Sequence, residues 1–362
     1  MTILRFFAAS WVVLFHLQSR FHLAAAGTSA GNFLDHGAFA ISLFFILSGI
    51  VLTCGYPGLA GGPDIKRFYL ARFARIYPSY AVVHLIALFW FTPATCGWLE
   101  WLYVNLLSGL GLQAWVPHTF ISNGINGGTW TISVEFFFYL LFPALLPALH
   151  HCHQRIGGFA LGLGLVVLSG LLGLAEYIFG PNGVAIYYIL PTHRLPEFML
   201  GVTLGLSLRD TGRPRWPPWL NLGLALGAFL LVCANPSHSM PHFWVRYNIL
   251  VVPILAWLLY AVARSEQHHQ PAWRSTPARI LIYLGDSSYC LFLAHLLPLL
   301  VLDLPGNSGW RDRVLAKGLN LEFALLVALA SLALAFALHE LVEKPARRHL
   351  LQWFSHRPKS SP

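Results

Sequence analysis

The chain is 362 residues long, 56% hydrophobic and only 10% charged, with a mean hydropathy of +0.61. A soluble domain carries about 25% charged residues, so the composition excludes a water-soluble globule and points to a polytopic membrane protein. The net charge of +9 comes from basic residues spread between apolar runs. Without a basic stripe, that excludes a nucleic-acid binder.

Apolar runs of about 20 residues are long enough to cross a bilayer as helices. In chain order they fall at 3–23, 37–56, 76–93, 129–149, 157–179, 187–208, 218–235, 243–263, 279–301 and 319–342. The expected fold is an all-α polytopic transmembrane helix bundle of about ten spans. It forms a single domain over 1–350, with a short basic cytoplasmic tail, 351–362, frayed at the chain end. Ala24-Ala25-Ala26 before Gly27 resembles a signal-peptide cleavage site. His16, Gln18 and Arg20 interrupt the run before it, however, and it is read as a retained span. The run 187–208 is the weakest, because it holds Arg194 and Glu197. The stretch 99–116 is assigned to a long outer loop, 94–128, that contains no Lys or Arg.

With the N-terminus inside, 17 of the 23 Lys and Arg residues fall on the inner side. Arg20, Arg194, Arg246, Arg311, Arg313 and Lys317 are the six outside or near outer ends. This bias places both termini in the cytoplasm. An eleventh span at 99–116 would invert everything after it and spoil the bias. The five cysteines are odd in number and form no C-x-x-C pair, so neither a disulfide frame nor a zinc site is indicated.

Ionisable groups inside spans are costly and usually line a polar cavity. Arg5 and His16 are eleven residues apart, which is three helical turns plus about 20°, with a rise of about 16 Å. One helix face therefore runs from a cationic cytoplasmic edge to a titratable group past mid-span. Glu135 lies about two turns inside the outer end of its run, and His295 lies in the outer half of its own. Arg72 and Arg75 sit three residues apart on one side of a helix start facing the cytoplasm. Guanidinium forks suit phosphate well. Each feature also has a plainer reading. Arg5 can be a snorkelling anchor, and Arg72 and Arg75 can be topology signals. His16 and His295 can be interhelical hydrogen-bond partners. Glu135 can be a structural carboxylate bonded to Ser133, Tyr139 or backbone. His150-His151-Cys152-His153 is placed in a short loop and read as a solvated turn, not a metal site. Gly127-Gly128 is read as a tight entry to the following helix.

Six stretches together resemble the membrane acyltransferase 3 family. Leu4–His16 (LRFFAASWVVLFH) is similar to its first-helix arginine, ten residues, histidine signature. Gly37–Gly49 (GAFAISLFFILSG) resembles the second-helix motif of two Phe followed by Ser-Gly, and Phe68–Tyr80 (FYLARFARIYPSY) its arginine-x-x-arginine motif. Trp130–Pro143 (WTISVEFFFYLLFP) is similar to the Trp-Ser/Thr-x-x-x-Glu motif, Leu284–His295 (LGDSSYCLFLAH) to the Ser-Tyr…His helix, and His339–Pro345 (HELVEKP) to the closing Glu-x-Pro turn. The motifs keep family order over nearly the whole chain.

The resemblance implies an O-acyltransferase of a bacterial inner membrane. It would move an acyl group, usually acetyl, from acyl-CoA to a hydroxyl of a cell-surface or exported carbohydrate or glycolipid. Some relatives add a periplasmic esterase-like domain. None is evident in this sequence, so transfer is expected to be completed within the membrane domain. His16 is then the expected general base, with Glu135 orienting it and His295 a further catalytic candidate. Arg5, Arg72 and Arg75 are expected to hold acyl-CoA, and no metal is expected. The rival is a transporter or flippase without acyl-transfer chemistry; no internal repeat supports it.

Overall fold

A computed structural model describes residues 1–59, 61–88, 97–116, 127–179, 186–209, 217–235, 247–268, 276–302, 316–318 and 320–355. Every regular element among them is helical. In order these are α1 (Thr2–Phe21), α2 (Ser29–Asp35), α3 (Phe39–Gly55), α4 (Gly62–Leu88), α5 (Trp98–Gly109), α6 (Trp130–Ile156), α7 (Gly158–Phe179) and α8 (Ile186–Ile189). They continue with α9 (Pro191–Ser207), α10 (Pro218–Ala234), α11 (Val252–His268), α12 (Thr276–Ala294), α13 (Leu296–Leu302), α14 (Asn320–Leu338) and α15 (Lys344–Ser355). A 3-10 turn at His36–Ala38 joins α2 to α3. π turns at Tyr247–Val251 and His339–Glu343 lead into α11 and join α14 to α15.

Among the described residues, seven stretches are long and apolar enough to cross a membrane: Thr2–Phe21, Ser29–Gly55, Gly127–Ile156, Gly158–Ala175, Tyr247–Gln267, Thr276–Leu302 and Asn320–Gln352. The outward face of α7 is apolar: Phe159, Leu163, Val167 and Leu171 are all exposed. The other three expected spans correspond to α4, α9 and α10, and each falls short for a visible reason. α4 begins with a charged cytoplasmic-type segment, Asp64 to Arg75, before its apolar half. α9 has 17 residues and carries Arg194 and Glu197. α10 is apolar but only 17 residues long. α5 has 12 residues, about 18 Å of helix, too short to cross the roughly 30 Å hydrocarbon core. The rest of the expected outer loop, 94–96 and 117–126, lies outside the described residues, as do Arg213, Arg215, Arg246, Arg274, Arg311 and Arg313. Residues 351–355 are the last turn of α15; only 356–362 lie outside the described residues.

The described chain forms two compact units, each made of two separate stretches. The first comprises Met1–Pro57 and Leu141–Asp286, and its centre is the pairing of α3 with α9. Gly49 and Gly201 bring the two backbones together. A β-carbon on Gly49 would stand 2.4 Å from the Phe198 carbonyl oxygen, and one on Gly205 would stand 2.7 Å from Thr53 Cβ. Small residues at four-residue spacing allow this approach in membrane helices. The contacts advance in the same direction on both helices, from Ser42 with Arg194 to Thr53 with Gly205, so α3 and α9 are parallel. α1 joins through Trp11, whose indole donates to the Phe33 carbonyl at 2.8 Å and packs edge-on to Phe39 and Phe229. Gln18, which interrupts the first apolar run, pins the turn after α1. Its amide donates to the Ala24 carbonyl and accepts from the Ala24 N–H, both at 3.0 Å.

The second unit comprises Gly58–Leu140 and Ser287–Pro362. Pro78 sits inside α4 and removes one backbone donor there. Near this point the Tyr289 hydroxyl donates to the Ile76 carbonyl at 2.9 Å. Gln113 ties the segment after α5 to the start of α6, donating to the Thr129 carbonyl at 2.8 Å and to Tyr80 at 3.2 Å. Gly127–Thr129 form a 3-10 turn into α6. Gly128 packs against α13, since a β-carbon there would stand 3.2 Å from Leu296 Cδ1 and 3.9 Å from His295 Cε1.

Candidate functional site

On α1, Arg5 and His16 are both half-buried. At 100° per residue their stripe also includes Ala9 and Val12, and both of those are fully buried. Phe7, about 180° round from His16, and Leu14 on the same far side are exposed. The basic pair therefore occupies an inward stripe, and the apolar residues opposite face outward. The His16 ring packs against Phe15, and its carbonyl accepts from Ser19 Oγ at 2.9 Å.

Arg72 and Arg75 lie half-buried on α4, while Lys66 and Arg67 near its start are exposed. Phe68 and Ser79, which share the helix face of Arg72 and Arg75 at 100° per residue, are buried. Glu135 is half-buried in α6 and accepts from the Tyr139 hydroxyl at 3.2 Å, one of the partners anticipated for a structural carboxylate. Tyr289 lies within electrostatic reach of Glu135, Tyr139 and Glu343. His295 is buried at the break between α12 and α13, and its Nδ1 donates to the Phe292 carbonyl at 2.7 Å. A carbonyl can only accept, so Nδ1 carries the proton of that bond. Arg5 and His16 belong to the first unit; Arg72, Arg75, Glu135 and His295 belong to the second.

Two polar clusters were not singled out from the sequence. In the second unit, Glu343 accepts from His339 Nδ1 at 2.7 Å and from the Cys290 thiol at 3.2 Å, and Cys290 in turn lies 3.9 Å from Ser79 Oγ. Arg75, one turn before Ser79 on α4, is within electrostatic reach of the Glu343 carboxylate. The His-x-x-x-Glu spacing over a π turn was the available signal, since π bulges concentrate at functional sites. In the first unit, Arg194 Nη1 donates to Glu197 Oε1 at 2.6 Å, with both side chains buried. Arg194 Nε donates to the Tyr188 carbonyl at 2.6 Å, the guanidinium lies 3.9 Å from the Tyr188 ring centroid, and Ser42 bonds to Tyr247 beside it. Opposite charges at i and i+3 inside an apolar run were visible in the sequence, but only as a mark against the span.

Among the described residues, one group could offer three ligands to a metal: Cys290, His339 and Glu343, whose donor atoms lie within 4.8 Å of one another. Two ligands at about 2.0–2.1 Å from a tetrahedral zinc stand about 3.3 Å apart. The 2.7 Å His339–Glu343 separation is that of a hydrogen bond. The arrangement is a hydrogen-bonded network. His150, His151, Cys152 and His153 lie in the last turns of α6, not in the loop expected for them; the helix ends only at Ile156, before Gly157 at φ +81°.

No solved structure matches this one. The profile of the acyltransferase domain family, acyltransferase 3, matches residues 1–340. Acyltransferase MdmB of Streptomyces mycarofaciens is 30% identical, over 97% of this chain and 92% of that protein. Peptidoglycan O-acetyltransferase OatA of Listeria monocytogenes is 22% identical over 86% of this chain; the match covers 52% of OatA, about half its length. A family match through residue 340, with a relative sharing nearly its whole length, completes the case that the motifs began: this multi-pass integral membrane protein belongs to the acyltransferase 3 family.

Proposed function

We propose that this chain crosses the membrane ten times with both termini in the cytoplasm. It moves an acyl group, acetyl in the simplest case, from cytoplasmic acyl-CoA to a hydroxyl of a cell-surface or exported carbohydrate. The observation that carries this reading is the inward stripe of α1, cationic at Arg5 and imidazole-bearing at His16 about 16 Å further along. The parallel course of α3 and α9 supports the ten-span count, because the second and sixth of ten spans must run the same way. OatA carries peptidoglycan O-acetylation in its name, and that motivates a carbohydrate acceptor here.

In this mechanism Arg72 and Arg75 grip the CoA phosphates with charge-assisted hydrogen bonds. The pantetheine arm follows α1 past Arg5. His16 accepts the proton of the acceptor hydroxyl as its oxygen attacks the thioester carbonyl. The C–S bond breaks, and the imidazolium returns the proton to the leaving thiolate, giving free CoA and an O-acyl ester. The base needs a carboxylate to fix its tautomer and stabilise the imidazolium, as in a triad, and Glu135 is the candidate for that role. His295 is the second imidazole available to the acceptor hydroxyl. Purified protein mixed with acetyl-CoA and a glycan acceptor should release CoA thiol and form an ester on the glycan. A transporter or flippase would release none, and no release with any hydroxyl acceptor overturns the reading.

A further inference from the structure

We infer that the first unit holds a binding site for one acyl chain of an anionic phospholipid, in a groove between α7, α9 and the α11 segment. The groove has a volume of about 790 Å³ and an almost wholly apolar lining, within the size range of ligand sites. On α7 its floor is Gly158, Gly162, Val166 and Gly170, spaced four residues apart on one helix face. Gly162 leaves room on that face, while Gly158 and Gly170 let Ser207 and Ile249 pack directly against the α7 backbone. Leu200 and Leu204 of α9 form one wall, and Ile249 with Trp257 forms the other.

Length and polarity identify the occupant. The lining runs along α7 from Gly158 to Leu174, sixteen positions and about 24 Å of helix, most of a roughly 30 Å hydrocarbon core. The groove is therefore long enough to hold one extended acyl chain along it. Its polar residues gather at one end. Ser207 and Tyr260 line it there, with His153 bonded to Ser207 Oγ at 3.0 Å and Arg264 Nε donating to the Tyr260 hydroxyl at 3.1 Å. Arg155 lies at the adjoining end of α6, while Arg209 is held by the Thr53 and Pro57 carbonyls at the end of α3. Among the described residues here, the acid Glu266 is paired with the N-terminal ammonium of Met1. An apolar slot of that length with a cationic mouth complements an acyl chain below a phosphate. The site uses none of the residues assigned to acyl transfer, so it stands or falls independently of the proposed function.

The full chain in detergent, titrated with phosphatidylglycerol and with phosphatidylcholine of identical chains, should show lipid-bound species by native mass spectrometry. One arginine near a membrane surface is worth about 1 kcal/mol, so phosphatidylglycerol should bind about fivefold more tightly, and Arg264→Gln should erase that preference. Gly162→Phe should reduce binding of both lipids. Its β-carbon meets only Leu200 Cδ1, at 3.5 Å, so the backbone tolerates it and the ring enters the groove. Val166→Trp is the second obstruction, should the first variant fold poorly. Unchanged lipid occupancy in a monodisperse obstructed variant overturns the site, and equal affinity of the wild type for both lipids overturns the anionic assignment.

Discussion

Gly201 lies so close to Ile46 that a β-carbon on it would stand 2.0 Å from the Ile46 carbonyl oxygen. No side-chain rotation relieves a clash with backbone, so α3 and α9 must separate to admit even a methyl group. Gly201→Ala should therefore destabilise the protein by at least the about 1–3 kcal/mol typical of overpacking. Gly223→Ala on α10, where nothing lies within 4 Å, should be neutral or slightly stabilising through helix propensity. Thermal unfolding in detergent measures both. Equal shifts would refute the close approach.

The same interface holds the Arg194–Glu197 pair, with both side chains buried. Removing one member strands a charge in a low-dielectric site. Arg194→Met or Glu197→Leu alone should cost about 3–5 kcal/mol, whereas the double substitution should recover most of that loss. A thermodynamic cycle over the three variants gives the coupling. Additive losses would show that the two side chains act separately.

Helix positions were legible in the sequence because hydropathy reports them directly. The run 3–23 became α1 at Thr2–Phe21, and 157–179 became α7 at Gly158–Phe179. What failed to register was polar pairing between helices. Arg194 and Glu197 weakened a span on hydropathy, although their charges cancel in three dimensions. Glu343 was read as part of a closing turn, but its partners include Cys290, which is 53 positions away. Packing alone reveals such contacts. The His150–His153 run was placed in a short loop, whereas α6 continues through it to Ile156. The stripe carrying Arg5 and His16 was legible from spacing alone; its inward direction became visible through the burial of Ala9 and Val12.

If Arg72 and Arg75 hold the phosphates of acyl-CoA, their loss should act on binding and spare the chemistry. Hydrogen bonds to charged groups are worth about 1.5–3 kcal/mol. Each Ala substitution should then raise KM for acetyl-CoA by about 10- to 100-fold with kcat little changed, and Lys should restore part of the affinity. A truncated donor, an acetyl-pantetheine thioester without the nucleotide, should be used equally by wild type and variants. If both donors suffer alike, the arginines are structural.

His16 and His295 make opposite predictions, which separates base from scaffold. His16 lies half-buried on the inward stripe, so His16→Ala should insert and unfold like wild type while kcat falls by about 10²- to 10⁴-fold, the range for loss of a general base. His295 is buried, with its ring bonded to the Phe292 carbonyl and its own carbonyl accepting from Ser331 Oγ at 3.4 Å. His295→Ala should lower the unfolding temperature, because it removes a hydrogen bond where α12 breaks and empties a packed site. Asn at 295 keeps a donor of similar reach to the Phe292 carbonyl and should recover stability. If the Asn variant is stable but inactive, His295 joins the chemistry. If His16→Ala keeps full turnover, the proton must leave the acceptor by another group, and the inward stripe of α1 is a conduit without a base.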